Sequence, residues 1–282
     1  MYKAENEYGV LKKVLLSPPD YLNVDEPINV VAEKHHRGGI DLERAGSQHR
    51  TYVETLSDQG IDVILAETYV HYNYQLNTRD LGVTTRKGII WGRFLLPNRW
   101  GEHRLAEKTF AREGVHIYHQ IPAGNFEGGD FVFIDQHRAA VGTGIRTDLM
   151  GIKCLEVALH DAGLELIPVD FEEKYLHLDM LFNVIDRRTA VVCREALPGH
   201  LLDLIDREGF DTVDISIDEA FDHGTNILPI GHGRLISHTK IPHLNEIFTG
   251  KGFTVIALEM DELQKSGGGP RCMSFPILRE GS

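Results

Sequence analysis

A cysteine, a histidine and several acids stand in short polar stretches of this sequence, namely Thr78-Arg79-Asp80, Glu127-Gly128-Gly129-Asp130, His177-Leu178-Asp179 and Gly267-Gly268-Gly269-Pro270-Arg271-Cys272-Met273. A thiol and an imidazole together suit nucleophilic catalysis, the imidazole managing the protons. Carboxylates work against that pairing, because they raise a thiol pKa and repel anionic intermediates. The combination makes chemical sense when the substrate is itself a cation. A guanidinium fits: it is flat and positive, and its N–H groups meet carboxylates in pairs. Asp80 and Asp179 would hold its nitrogens and leave its central carbon open to the sulfur of Cys272. A papain-like protease would instead need an amide-binding groove without the acids.

Each residue also has a plainer reading. Leu176, Leu178, Met180, Phe182 and Val184 alternate, which predicts a strand over 176–184 with His177 and Asp179 sharing its other face. Alone, that pattern equally describes a solvated polar face. The glycines after Glu127 permit a close approach of ligand or backbone, or simply a hairpin turn, and Glu127 is placed to hold the imidazole. Cys154 and Cys193 lie in apolar runs and read as core, whereas Cys272 follows a mobile glycine segment at the start of a strand. Arg99 and Arg146 each follow an acid, Asp80 and Glu127, by 19 residues and are candidates to clamp a substrate α-carboxylate. Surface ion pairing suits either arginine as well, and Arg93 competes with Arg99.

The elements that must position these residues recur. Strand-like apolar runs occupy 10–16, 63–66, 88–94, 131–134, 176–184, 190–193, 235–237 and 253–258, and helix-like stretches occupy 42–56, 102–112, 148–160, 198–207 and 242–249. From Asp80 to Glu127, His177, Asn226 and Cys272 the polar tips are spaced 46 to 50 residues apart. Each period reads as tip, hairpin, helix and strand, a ββαβ unit. Pairing 273–278 with 8–16 would complete a fifth unit and close a ring, bringing all the tips to one mouth and leaving no open sheet edge. Residues 1–282 then form a single catalytic domain closed by its two terminal segments.

With these motifs in this order, together with Gly144-Ile145-Arg146-Thr147 and Asn226, the sequence resembles the guanidino-group-modifying enzymes of the pentein superfamily. These include arginine deiminase, dimethylarginine dimethylaminohydrolase and the amidinotransferases. The resemblance spans nearly the whole chain. It implies a five-fold pseudosymmetric α/β propeller, with Cys272 as nucleophile, His177 as general acid and base, Glu127 as its orienting partner, and Asp80 and Asp179 as guanidinium ligands. The implied reaction is hydrolysis of arginine or an N-substituted arginine through a covalent amidino intermediate on Cys272, giving a ureido product such as citrulline. The compact length resembles the dimethylarginine enzymes, while the second acid of His177-Leu178-Asp179 resembles the deiminases and amidinotransferases. Arg271 and Met273 flank the cysteine where amidinotransferases often carry His and an aromatic residue, which favours hydrolysis over transfer. A non-catalytic binding member of the superfamily is the reading from a different class.

Composition bounds the rest. The 282 residues carry 29 Lys plus Arg against 42 Asp plus Glu, a net charge of −13, with 42% hydrophobic and 25% charged residues. That balance suits a globular chain with a large core and disfavours a nucleic-acid partner. No apolar run is long enough for a membrane span and no secretory leader is evident, so a cytoplasmic location is expected. Three cysteines without a CxxC pair give neither a disulfide framework nor a thiolate zinc site. The neighbouring His35 and His36, in segment 19–39, read as a solvated loop, and that segment as a possible lid. The mechanism calls for no metal or cofactor; its partner is a small cationic guanidino substrate.

Overall fold

A computed structural model describes residues 2–281. The chain opens with β1 (Val10–Leu16), then crosses through α1 (Val30–His35) and α2 (Leu42–Asp58) to β2 (Asp62–Leu65), which pairs with β1 in parallel. Asp41 caps α2 by accepting from Arg44 N. From there one pattern repeats. β3 (Gly82–Thr85) and β4 (Gly88–Trp91) form an antiparallel hairpin, α3 (Glu102–Arg112) crosses over, and β5 (Ile117–Gln120) returns parallel to β4.

The next units are β6 (Phe131–Phe133), β7 (Arg138–Thr143), α4 (Leu149–Leu159) and β8 (Glu165–Asp170), then β9 (Phe182–Asp186), β10 (Thr189–Val192), α5 (Gly199–Arg207) and β11 (Asp211–Asp214). After the short α6 (Ile217–Phe221) come β12 (Leu228–Gly231), β13 (Arg234–His238), α7 (Pro242–Gly250) and β14 (Thr254–Leu258). The chain then passes through α8 (Asp261–Gln264) to β15 (Phe275–Glu280), which lies antiparallel to β1 with Val10 opposite Glu280 and Leu15 opposite Phe275. Among the described residues there are thus five three-stranded sheets, each one antiparallel and one parallel pairing, as the ββαβ repeat predicts.

The first strand of each hairpin faces the axis. β15 packs against β3, β6 against β9, β9 against β12, and β12 against β1. These strands are buried along most of their length because they meet a helix-bearing layer on one side and their neighbours in the ring on the other. Outer strands such as β8 and β14 are only partly buried. Trp91 shows how helix and sheet join: fully buried, it stacks on Phe110 of α3 with ring centroids 5.3 Å apart and lies 5.4 Å from Phe275 of β15. No helix among the described residues is long and apolar enough to cross a membrane.

Trp91→Ala removes a ring that joins the second unit to the closing strand. Chemical denaturation should show a loss of about 3–5 kcal/mol. A loss under about 1 kcal/mol would mean that this stack does not hold the two units together.

Candidate active site

Three units enter their inner strand through one turn of 3-10 helix: Thr78–Leu81, Gly128–Asp130 and Leu178–Met180. Asp80, Glu127, His177 and Asp179 sit in or immediately before these turns, which brings equivalent positions of the ring to one buried hollow. The continuous strand expected over 176–184 is therefore broken. Leu176 takes φ 62°, Leu178–Met180 coil into the turn, and only Phe182–Asp186 is strand. The backbone is paired elsewhere: Leu178 N donates to Asp130 Oδ1 of the preceding unit at 3.0 Å, and Leu181 N donates to Leu178 O at 2.9 Å.

Cys272 arrives just before β15 on the glycine segment. That segment is packed rather than mobile. A side chain on Gly268 would meet Asn77 Oδ1 at 2.6 Å and Cys272 Cβ at 2.8 Å, so only glycine fits beside the thiol. Asn226 Oδ1 accepts from Gly269 N at 3.0 Å and Cys272 N at 2.9 Å, while its Nδ2 donates to Cys272 Sγ at 2.8 Å. The sulfur also lies 3.5 Å from Asp179 Oδ2, and that oxygen accepts from Arg271 Nη1 at 2.5 Å. Burial, then the charges of Asp179 and Asp80, push the thiol pKa well above its usual value, against the opposing pull of Asn226 and Arg271. The sulfur is therefore a thiol at neutral pH in the free protein.

The imidazole is the reverse case. His177 Nε2 lies 3.0 Å from Glu127 Oε2, and its Nδ1 lies 3.6 Å from Asp80 Oδ1. Burial would lower its pKa, but Asp80, Asp130 and Glu127 outweigh that and raise it to about 9. Burial would raise Glu127, yet the His177 hydrogen bond and the charges of Arg146 and Arg99 bring it down to about 2. Burial pushes Asp130 up to about 7. A Cβ on Gly129 would stand 2.6 Å from His177 Nδ1, which explains the second glycine of Glu127-Gly128-Gly129-Asp130. Asp80, Glu127 and His177 offer ligand atoms within 4.8 Å of one another, but those atoms already form an acid–imidazolium cluster.

Two buried carboxylate oxygens, Asp80 Oδ1 and Asp179 Oδ1, have no hydrogen-bond partner among the described residues. Their fellow oxygens are taken by Arg99 and Arg271 respectively. Such orphaned acceptors in one hollow call for a donor-rich cation.

The two arginines paired by the repeat part company. Arg99 grips Glu102 through Nε at 2.9 Å and Nη2 at 2.8 Å, donates to Asp80 at 2.7 Å, and stacks on Phe94. Its fork is spent beneath the site. Arg146 donates to Glu127 at 3.3 Å and to the Ile28 carbonyl at 2.7 Å, and it lines a cavity of about 540 Å³ with Pro27, Asn29, Leu96, Ile145 and Leu176. Segment 19–39 roofs this cavity. Asn29 caps α1, donates to Ser266 O at 2.8 Å, and closes over Gly267. Of the adjacent histidines, His36 is exposed, with its Nδ1 3.1 Å from the Val24 carbonyl oxygen.

A family model described as N,N dimethylarginine dimethylhydrolase, eukaryotic, matches residues 18–279. The chain belongs to the N,N-dimethylarginine dimethylhydrolase family. YkgA, an uncharacterized protein of Bacillus subtilis (strain 168), is 32% identical to this family member over 273 residues, covering 97% of this chain and 94% of YkgA. The arginine deiminase of Limosilactobacillus reuteri (strain DSM 20016) is 26% identical over 249 residues, and the match spans 60% of the deiminase. Among solved structures, the substrate-bound N-terminal domain of ArgZ, described as an arginine dihydrolase of Cyanobacteria, aligns with TM-score 0.83 at 20% identity over 95% of this chain and 98% of that one. A dimethylarginine dimethylaminohydrolase adduct aligns with TM-score 0.76 at 22% identity, over 96% and 100%. The five-unit fold is that of the pentein superfamily, as the motifs implied.

Sequence reasoning gave this family member no role for Asn77, Glu102 or Arg271. Only Glu102 left a signal, an acid three residues after Arg99 at the start of a helix.

The imidazolium–carboxylate pair sets a pH signature. Glu127, lowered from 4.5, stabilises the fold above about pH 4.5 and loses that contribution as pH falls to about 2. His177, raised from 6.5, contributes below about pH 6.5 and loses it as pH rises through about 9. Nuclear magnetic resonance titration of His177 should give a midpoint near 9, falling by a pH unit or more in Glu127→Gln. An unchanged midpoint would remove Glu127 as the group that charges the imidazole.

Proposed function

We propose that this protein is a cysteine-dependent hydrolase of the guanidino group of arginine or an arginine derivative, and that residues 1–282 act as one catalytic domain. The observation that carries this reading is the pair of orphaned buried oxygens, Asp80 Oδ1 and Asp179 Oδ1, beside a thiol and an imidazolium. They accept from the N–H groups of a guanidinium and seat its central carbon toward Cys272. Docking of that cation offsets the acids that hold the thiol protonated, so Cys272 releases its proton to solvent as the substrate binds and the nucleophile forms only then.

The thiolate attacks the guanidinium carbon. His177, protonated at neutral pH and held by Glu127, donates its proton to the departing amine as the C–N bond breaks. An amidino group remains joined to sulfur. His177, now neutral, takes a proton from water, hydroxide adds to the same carbon, and the C–S bond breaks to release a ureido product such as citrulline. Asp179 favours an unsubstituted nitrogen, because a doubly methylated one presents no N–H to its free oxygen. Arg146 faces the cavity and receives the carboxylate of the substrate tail; Arg99 acts from below by fixing Asp80. The 19–39 segment lines one side of the cavity that would take the substrate tail.

A colorimetric ureido assay over arginine, methylated arginines, agmatine and guanidinoacetate tests this. Arginine should turn over best, and Cys272→Ala should lose about a thousandfold or more. Activity that survives the alanine substitution would remove the nucleophile assignment, and no turnover of any member would favour a binding role. Arg146→Ala should raise KM about tenfold or more for arginine but leave agmatine, which has no carboxylate, within about threefold. Equal losses would count against the carboxylate contact.

A further inference from the structure

Behind Cys272, on the side away from the mouth, three arginines and a glutamate from distant parts of the chain are buried together. Arg271 is wholly buried; Arg79, Arg279 and Glu7 are nearly so. Glu7 Oε1 accepts from Arg271 Nη2 at 3.4 Å and from Phe133 N at 3.2 Å, and its Oε2 lies 3.9 Å from Arg79 Nη2. Arg271 Nη2 also donates to Phe131 O at 3.0 Å, and Arg279 Nη1 to Gly9 O at 2.7 Å. The carboxylates that meet these guanidinium groups are Glu7 and Asp179.

Three buried cations facing two buried anions leave a positive charge over. Its donors show it: Arg79 Nε and Nη2, Arg271 Nε and Arg279 Nη2 have no hydrogen-bond partner among the described residues. A surplus of this kind is costly to bury unless a further negative charge arises nearby. At the mouth Asp80, Glu102 and Glu127 face Arg99, Arg146 and protonated His177, and the fourth acid, Asp130, is pushed up to about 7 by burial and accepts from Leu178 N beside the imidazole. Besides Asp130, whose charge bears on His177, the group that gains a negative charge between the two clusters is the Cys272 sulfur, with which both Arg271 and Arg79 interact. Arg271 reaches it through Asp179, whose Oδ2 lies between Nη1 and Sγ.

We propose that Arg271, Arg79 and Arg279, anchored by Glu7, are the built-in counter-charge for the Cys272 thiolate, with Arg271 also positioning Asp179. This rests on Cys272 being the nucleophile. The groups that bear on the sulfur are Asp80 and Asp179 from the mouth side, with His177 across Asp80, and Arg271 and Arg79 from behind; Glu7 and Arg279 act through those two, with Tyr52 beside Arg279. The mouth acids hold the thiol protonated, and the arginines limit how far they do so.

The test uses the full chain without substrate. Iodoacetamide alkylation of Cys272 is followed against pH, with the modified peptide assigned by mass spectrometry. Arg271→Met and Arg79→Met should slow alkylation about tenfold at about pH 7.5 by moving its midpoint upward. Glu7→Gln should move it the other way and speed alkylation, while Arg271→Lys and Arg79→Lys should restore most of the wild-type rate. A merely structural role gives no such opposition of sign, and circular dichroism with thermal melting identifies any variant that does not fold. Because Arg79 makes no hydrogen bond to Asp179, its Met and Lys pair carries the test by itself if Arg271→Met does not fold. Unchanged midpoints, or Met and Gln variants moving in one direction, would overturn the proposal. Loss of turnover across the guanidine panel with the alkylation pattern intact would refute the proposed function and leave the counter-charge standing.

Discussion

A thiol buried among carboxylates cannot easily ionise, and the rest of this site follows from that constraint. Asp179 and Asp80 oppose the thiolate, and burial opposes it further. Asp80 also charges the neighbouring imidazole, together with Asp130 and Glu127, so one cluster keeps sulfur neutral and nitrogen protonated at the same pH. A flat cation changes the balance by entering as the third charge, and a guanidinium brings the donors that two orphaned oxygens lack.

The ring architecture makes this crowding possible. Acids on adjacent residues of one strand would splay apart, but five equivalent tips aimed at one axis bring Asp80, Glu127, His177 and Cys272 together from separate units. Each unit needs only a short turn before its inner strand, and antiparallel pairing of β1 with β15 holds the first and last contributions in register. The hollow is then finished by parts outside the repeat: the 19–39 segment over the mouth, Arg146 bonded to that segment and to Glu127, and the glycines that let backbone lie against Cys272 and His177.

Much of this was legible in the sequence because the repeat is regular. The spacing of Asp80, Glu127, His177, Asn226 and Cys272 fixed the units, and apolar periodicity placed α3 and β1 to the residue. Alternation misplaced the strand at His177, since a single left-handed residue, Leu176, and a 3-10 turn leave apolar side chains spaced much as a strand does. The 19-residue offset located Arg99 but not its partner, because Glu102 competes for the guanidinium fork only once α3 begins beside it. Glycines suggested mobility at 267–269, where close packing against Asn77 and Asn226 instead requires them. The Glu7–Arg271 contact joins residues 264 positions apart and left no local pattern at all.

The most direct test is the ionisation of Cys272 with and without a cation in the hollow. Thiolate absorbance can be titrated in a chain whose Cys154 and Cys193 are replaced by alanine, first free and then saturated with guanidinium ion. The account predicts a free midpoint above the ordinary range of a cysteine thiol that falls when the cation binds. A free midpoint well below about 7, or one that the cation leaves unmoved, would contradict it.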